Sequence, residues 1–269
     1  MNEQTLQAIM SAVPYYSEPG NAASLETEVL YGEKLKLLED RGEYLFVQSE
    51  HYAVPGYIPA DCVQLYEVPT HRITAAIAPA YNLPSFKSGV QRYLTLNALV
   101  RLTASEPSPE GHMLHFKGVG WIFADHVSRT DEFATDYVKV ARSRVGAAPY
   151  VWGGRSNPDC SALVMDSLLS CGIPCPRNAG EQAKSLGEEI AFEDDFSNLQ
   201  KGDFVFWTQP GTKGRHVVIM TDPHRCVHAT IASPYRGTVE QSLVGVIQDQ
   251  ERDGNGRPNI VRRLPKMNF

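Results

Sequence analysis

Cys160 stands where a thiol can act as a nucleophile. The stretch Tyr150-Val-Trp-Gly-Gly-Arg-Ser-Asn-Pro-Asp-Cys-Ser-Ala-Leu-Val164 reads as a short β-type run, a glycine pair and a proline loop, and it delivers Asp-Cys-Ser to the start of an apolar helical pattern. Leu163, Met165, Leu168 and Leu169 form the buried face of that helix, and Gly172 followed by Pro174 stops it. Backbone N–H groups at a helix N-terminus lack intrahelical partners, and the dipole is positive there. Both favour thiolate over thiol, so the sequence predicts a Cys160 pKa below the free value of about 8.5.

Acyl transfer by a thiolate needs a base and a group to orient that base. Leu199-Gln-Lys-Gly-Asp-Phe-Val-Phe-Trp207 reads as a turn into a buried strand. A second strand, His216-Val-Val-Ile-Met-Thr-Asp222, begins with histidine, and a third, Arg225-Cys-Val-His-Ala-Thr-Ile231, follows a turn at Pro223. If these two strands pair antiparallel, His216 and His228 come side by side, the first as base and the second as orienter. A zinc site from His224, Cys226, His228 and His216 is the competing use of the same residue types. Its geometry is poor, because His224 falls in the turn while positions 226 and 228 face one side of a strand.

The ordered set resembles the NlpC/P60 cysteine peptidases of bacterial cell-wall peptides. It comprises Tyr-x-Trp-Gly-Gly, Asp-Cys-Ser, Pro176-Arg177 with Gln182, Leu-x-x-Gly-Asp-Phe-Val-Phe, His-Val-Val-Ile and Val-His-Ala, and covers most of residues 133–231. Ala162 departs from the glycine usual after Asp-Cys-Ser, and alanine suits a helix better. The resemblance implies cleavage of the γ-D-glutamyl–diamino acid bond of murein (peptidoglycan) peptides by Cys160, His216 and His228, with no metal or cofactor. It also implies that the Tyr150 phenol points at the oxyanion, where an O–H donor can act. The Cys160 backbone N–H is the second donor. Asp159 is a natural helix N-cap, and in the family this position and Ser161 line the D-glutamyl pocket. Arg177 reads as a scaffold or substrate-binding residue. Where relatives acting on peptides with a free N-terminus have Asp, pairing with the substrate ammonium, this chain has Asn178, an uncharged acceptor.

The same triad would equally serve an amidase or an acyltransferase, since fold does not fix substrate. A wall-peptide-binding protein without catalysis is the reading from a different class, and the intact Cys160, His216 and His228 argue against it.

Before this domain the chain carries short alternating strands. Residues 12–68 contain Glu28-Val-Leu-Tyr-Gly-Glu-Lys-Leu-Lys-Leu-Leu38, Tyr44-Leu-Phe-Val-Gln48 and Gly56-Tyr-Ile-Pro59, and residues 71–129 repeat the plan loosely. Each half ends in Gly-aromatic-Ile, a short polar turn and Val, which resembles the ending of bacterial SH3-like (SH3b) β-barrels. The expected organisation is therefore two small SH3-like barrels at 1–68 and 69–130, then an α+β, papain-like domain at 131–269. Tyr52 and Tyr57 of the first barrel are offered as walls of a substrate groove, with barrel core as the competing role. A helix opens the third domain, capped by Asp131 or Thr135, with Phe133, Tyr137, Val138, Ala141 and Val145 on one face. Ala179 to Leu186 reads as a short helix, and the remainder as mostly strands ending at Ile260-Val-Arg-Arg-Leu264.

Composition excludes some classes. A net charge of −6 without a basic cluster argues against nucleic acid and anionic membrane surfaces. Five cysteines in 269 residues do not make a disulfide framework. Cys62, Cys171, Cys175 and Cys226 are expected to pack as small hydrophobes. The N-terminal Met-Asn-Glu-Gln-Thr-Leu-Gln-Ala-Ile-Met lacks the features of a secretion signal, and no stretch reaches the roughly 18 apolar residues of a membrane span. The expected location is the cytosol, in keeping with recycling of wall peptides.

Overall fold

The computed structural model describes residues 4–108, 111–193 and 195–265. The chain divides into two compact units, 1–133 and 134–269, so the two expected barrels share one unit. The first forms a seven-stranded sheet in the order Leu25–Leu30, Ala12–Tyr16, Gly56–Pro59, Tyr44–Ser49, Lys34–Asp40, Thr5–Ala8, Val63–Leu65. The second divides its strands between a five-stranded and a three-stranded sheet. Among the described residues neither half closes into a barrel: the end strands of each order do not pair with one another. Register shifts interrupt several of the ladders, and such bulges bend strands and end pairing.

The Gly-aromatic-Ile signature corresponds to the same local structure in both halves. Gly56–Pro59 and Gly120–Phe123 are strands, each followed by a single 3₁₀ turn and a short strand starting at Val63 or Val127. Glycine is required for packing: a Cβ would sit 2.6 Å from the Tyr16 carbonyl oxygen at position 56 and 2.6 Å from that of Tyr81 at position 120. Tyr31 ties the halves together, buried in the second core with its hydroxyl donating to the Lys117 carbonyl at 3.3 Å.

The second unit is α+β. Strands β1 (Glu188–Glu189), β2 (Phe204–Trp207), β3 (His216–Met220), β4 (Arg225–Thr230), β5 (Gly237–Ser242) and β6 (Ile260–Arg263) make one sheet. It is antiparallel throughout, in the order β1-β6-β2-β3-β4-β5. Helices α1 (Tyr137–Ser143), α2 (Cys160–Ser170) and α3 (Ala179–Ser185) cover one face through Val138, Leu163, Leu168 and Ala183 against Phe204, Phe206, Val217, Ile219 and Val227. The alternate residues of the same strands, Val205, Trp207, Val218, Met220 and Cys226, face the other side. That side is covered by α4 (Leu243–Arg252) through Leu243, Val246 and Ile247. A strand buried on both faces must be apolar at every position, which explains the unbroken run Phe204-Val-Phe-Trp207.

Three expectations about the helices change. Helix α1 is capped by Asp136, whose Oδ1 accepts from Val138 N at 3.0 Å and Lys139 N at 3.2 Å, and not by Asp131 or Thr135. Phe133 and Val145 therefore fall outside it, and both are exposed. Helix α2 is buried on nearly all sides, not on one face. Helix α4, expected as strand, carries its apolar residues at 243, 246 and 247 and is capped by Ser242, whose Oγ accepts from Gly245 N at 3.1 Å. Cys62 lies in a 3₁₀ turn, and all five cysteines are free thiols.

Candidate active site

Asp159 begins the site. Its carboxylate caps α2 by accepting from Ala162 N at 2.8 Å, and it also accepts from Gly153 N at 3.1 Å. Gly153 has φ of +74°, a conformation open to glycine, and this turns its N–H toward the cap. Arg177 grips the same carboxylate at both ends, at 3.0 Å and 2.7 Å. Ser161 Oγ donates to Asp159 Oδ1 at 3.1 Å and accepts from Arg177 at 2.9 Å. All three side chains are buried. A carboxylate offers about four lone-pair sites, and here it accepts five bonds, so little capacity remains for a ligand. Asp159 and Arg177, candidates for substrate contact in the sequence, are joined to each other as the frame that holds Cys160. Gln182, from α3, extends that frame by donating to the Ser161 carbonyl at 2.9 Å and the Pro176 carbonyl at 2.8 Å.

Cys160 opens α2 and is 8% exposed. Its thiol lies at the backbone N–H of Val217, one residue beyond His216. Burial pushes the thiol up to about 12, and the Asp159 carboxylate adds to the rise. The Val217 and Ser161 N–H groups and the Arg177 guanidinium act in the opposite direction but do not prevail. The thiolate expected from the helix start is therefore not the resting state. Desolvation of the anion costs more than the helix terminus returns.

His216 and His228 meet as their strands require. His216 Nε2 and His228 Nδ1 are 2.8 Å apart, with the rings nearly perpendicular at 80°. The Trp207 ring, opposite His216 in the ladder, packs on it at 5.6 Å. Burial, and then the neighbouring His228, hold His216 well below 6.5. Burial takes His228 down to about 4. With His216 Nε2 turned to His228, Nδ1 is the nitrogen left for proton transfer. The resting arrangement is a neutral thiol with two neutral imidazoles.

That assignment fixes a pH dependence. A base whose pKa is lowered in the fold stays unprotonated until pH falls below the ordinary histidine value. Any rate that depends on His216 as base should therefore hold level through pH 6.5 and decline only at lower pH. A kcat/KM profile with its acid limb at or above 6.5 would show that the buried, neutral description of His216 is wrong.

The Tyr150 phenol lies beside Cys160, Asp159 and Arg177, and burial, seconded by the negative Asp159 carboxylate, raises its pKa, so it is held as an O–H donor. Asn178 is half-buried at the start of α3, and its side chain makes no cap bond. Tyr52 has the competing role. It is 7% exposed in the core of the first sheet, edge-on to Tyr15, with its hydroxyl on the Glu26 carboxylate. Tyr57 is half-buried against Phe46 and accepts from Arg41 at 2.5 Å. His224 donates its backbone N–H to Asp222 in the turn, away from the histidine pair.

His216 and Tyr150 line a cavity of about 410 Å³ together with Trp152, Arg215, Ile231 and Asp253, residues to which sequence reasoning assigned no role of their own. Trp152 stands within the Tyr-x-Trp-Gly-Gly motif yet is 63% exposed, an unusual state for so large an apolar ring. Also unforeseen is the buried pair Arg155–Asp166 at 2.7 Å, which with Arg144 on the Arg155 and Ser156 carbonyls secures the loop before Cys160.

Residues 146–247 match the NlpC/P60 family, and residues 15–62 match the bacterial dipeptidyl-peptidase SH3 domain. The chain carries an NlpC/P60 domain behind a bacterial SH3 domain. A γ-D-glutamyl-L-lysine dipeptidyl-peptidase of Bacillus cereus is 24% identical over 255 residues, covering 85% of this chain and 74% of that protein. The protein of the same name from Bacillus subtilis is 25% identical, covering 76% and 72%. Dipeptidyl-peptidase 6 of Lysinibacillus sphaericus is 26% identical, covering 80% and 84%. The fold matches the crystal structure of an NlpC/P60 family protein from Bacillus cereus with a TM-score of 0.75 at 19% identity, over 97% of this chain and 100% of that one.

Proposed function

We propose that this protein is a cysteine peptidase that hydrolyses the γ-D-glutamyl–diamino acid bond of murein-derived peptides. The observation that carries the reading is the buried His216–His228 pair at 2.8 Å, with His216 on the strand that presents the Val217 N–H to the Cys160 thiol. Its support from relatives is the name γ-D-glutamyl-L-lysine dipeptidyl-peptidase, borne by two of them.

In this reading His216 Nδ1 takes the Cys160 proton as the sulfur attacks the γ-carbonyl of D-glutamate. Proton transfer and attack proceed together, because neither charged partner is stable alone in a buried site. The carbonyl oxygen becomes an oxyanion, which the Tyr150 O–H and the Cys160 N–H stabilise. His216 returns the proton to the departing amine, the C–N bond breaks, and a thioester remains. Water then attacks the thioester with His216 as base, releasing the acid and restoring the thiol. Asp159, Ser161 and Arg177 shape the wall of the pocket as one hydrogen-bonded unit. We place the reaction in recycling of short wall peptides in the cytosol. Among the described residues no helix is long and apolar enough to cross a membrane.

The deciding experiment is incubation with L-Ala-γ-D-Glu-diamino acid tri- and tetrapeptides, free and N-acetylated, followed by mass spectrometry. Release of L-Ala-D-Glu supports the reading. Transfer of the acyl group to an added amine favours the acyltransferase, and binding without turnover favours the wall-peptide-binding protein.

Asn178 gives the same assay a second use. A charge-assisted hydrogen bond is roughly twice as strong as a neutral one, so Asn178→Asp is expected to raise the ratio of kcat/KM for free over acetylated peptide. An unchanged ratio means that the ammonium is read by another group.

A further inference from the structure

The histidine pair leaves one proton to be placed. If His216 Nε2–H donates to His228 Nδ1, neutral His228 must carry its own proton on Nε2, as a donor. That Nε2 is buried without a hydrogen-bond partner among the described residues. One other buried atom nearby has the complementary need. Gln241 Oε1, on β5, is a buried acceptor also without a partner. The β4–β5 ladder pairs His228 with Val239 and Cys226 with Gln241, so Gln241 is on the same face as His228, two residues along the strand. The amide cannot be turned the other way at no cost. Its Nε2 donates to Asp249 Oδ2 on α4 at 3.2 Å, and a carboxylate there can only accept, so the oxygen is the atom left for histidine. Asp249 is itself held by Arg252 one turn on.

We propose that Gln241 is a positioning residue for this site: anchored by Asp249, it accepts the His228 Nε2 proton and so fixes the tautomer that leaves His216 Nδ1 free as the base. The Gln241 side chain opposes the effect of burial on the His228 ring, the direction expected of an acceptor turned toward it. The physical logic is that of any triad, in which the outer member sets the tautomer of the inner one, carried one residue further out. Without Gln241, His228 gains nothing from keeping its proton on Nε2. With the proton on Nδ1 it would present a donor to His216 Nε2, which must then become the acceptor. His216 would place its own proton on Nδ1, the nitrogen needed for proton transfer, and cease to be a base. The chain from α4 to Cys160 thus runs Asp249, Gln241, His228, His216, each link fixing the direction of the next. The inference rests on the peptidase reading for its effect on rate, and on hydrogen-bond chemistry alone for the tautomer.

The test uses the full chain labelled with ¹⁵N-histidine. Long-range nitrogen–proton correlation spectra near neutral pH should show His228 in the wild type as the Nε2–H tautomer. Gln241→Met keeps length and volume and removes the acceptor. In that variant His228 is expected to shift mainly to the Nδ1–H tautomer, leaving about a tenth or less in the Nε2–H form, and kcat on the tripeptide to fall roughly 10-fold or more with KM within about twofold. A role in packing alone would lower the melting temperature and leave the tautomer in place. The proposal is overturned if wild-type His228 carries its proton on Nδ1, or if Gln241→Met keeps the wild-type tautomer or the wild-type kcat. If the wild type cleaves none of the peptides, the peptidase reading fails, and the spectra still decide the hydrogen-bond assignment.

Discussion

Cys160→Ala is expected to lower kcat/KM on an L-Ala-γ-D-Glu-diamino acid peptide by about 10⁴-fold or more, while the melting temperature shifts by only a few degrees. The two readouts separate because of where the thiol sits. Cys160 contributes one buried sulfur to the core shared by α2 and the sheet, and alanine preserves the helix start and the Asp159 cap. The chemistry has no such reserve, since a methyl group cannot attack a carbonyl. Cys62→Ala is the control: that thiol lies in a 3₁₀ turn of the other unit, and its loss should leave the rate unchanged. The measurement is single-turnover and steady-state kinetics on protein purified from a host lacking related peptidases. A Cys160→Ala enzyme retaining more than about one hundredth of wild-type activity ends the cysteine-peptidase reading, because the removal of a nucleophile leaves far less.

The second large effect concerns stability. Arg177→Met should destabilise the C-terminal unit by about 3–5 kcal/mol, the usual result of removing one partner from a buried ion pair. The substitution leaves the Asp159 carboxylate, 6% exposed, with only Gly153 N, Ala162 N and Ser161 Oγ to solvate it. For a unit of this size the melting temperature should fall by roughly 10–20 °C. The double variant Arg177→Met with Asp159→Asn removes the stranded charge but keeps an N-cap oxygen, since Asn caps as well as Asp. It should recover a substantial part of the loss. Calorimetry decides the matter: a single variant within about 1 kcal/mol of wild type, or a double variant no better than the single one, means that the pair does not hold the frame as described.

These two effects involve residues 17 apart in the sequence whose roles were legible to different degrees. The placement of the proposed nucleophile could be read because its requirements are local: a capping Asp, a thiol at the first helical position and an apolar pattern that must become a helix. The two histidines could be read because a hairpin with a short turn fixes which residues of its strands are neighbours. For Asp159 the cap was legible, and the Arg177 clamp was not. Arg177 arrives from the segment after α2, and its grip on Asp159 depends on how α2 and α3 pack together, for which the chain has no local signal. Helix α4 was within reach and was missed. Ser242, the apolar residues at 243, 246 and 247, and Gly254 are a start, a face and a stop, but strands on both sides drew the segment into a β reading.

Tyr52 and Tyr57 make the same point from the other unit. Tyr57 falls in the short run Gly56–Pro59 and Tyr52 lies just before it, and composition does not distinguish a core tyrosine from a surface one. The Tyr15 edge contact and the Glu26 partner make Tyr52 a core residue, while the Arg41 and Phe46 contacts keep Tyr57 near the surface.

What the sequence by itself determined is the order of the candidate groups proposed above to react: a cysteine opening a helix, two histidines on successive strands and a tyrosine before a glycine pair, within an α+β domain behind SH3-like sheets. Helix periodicity, strand alternation and turn chemistry act over a few residues, so they can be read from a few residues. The protonation states were decided only by the tertiary structure. The helix start alone argues for a thiolate, yet the folded site holds Cys160 as a thiol near 12 and both histidines neutral. Desolvation depends on everything packed around a group. The layers that bury Cys160, His216 and His228, α1 to α3 on one face and α4 on the other, come from every part of the second unit, so the charge on its reacting groups is a property of the assembled fold.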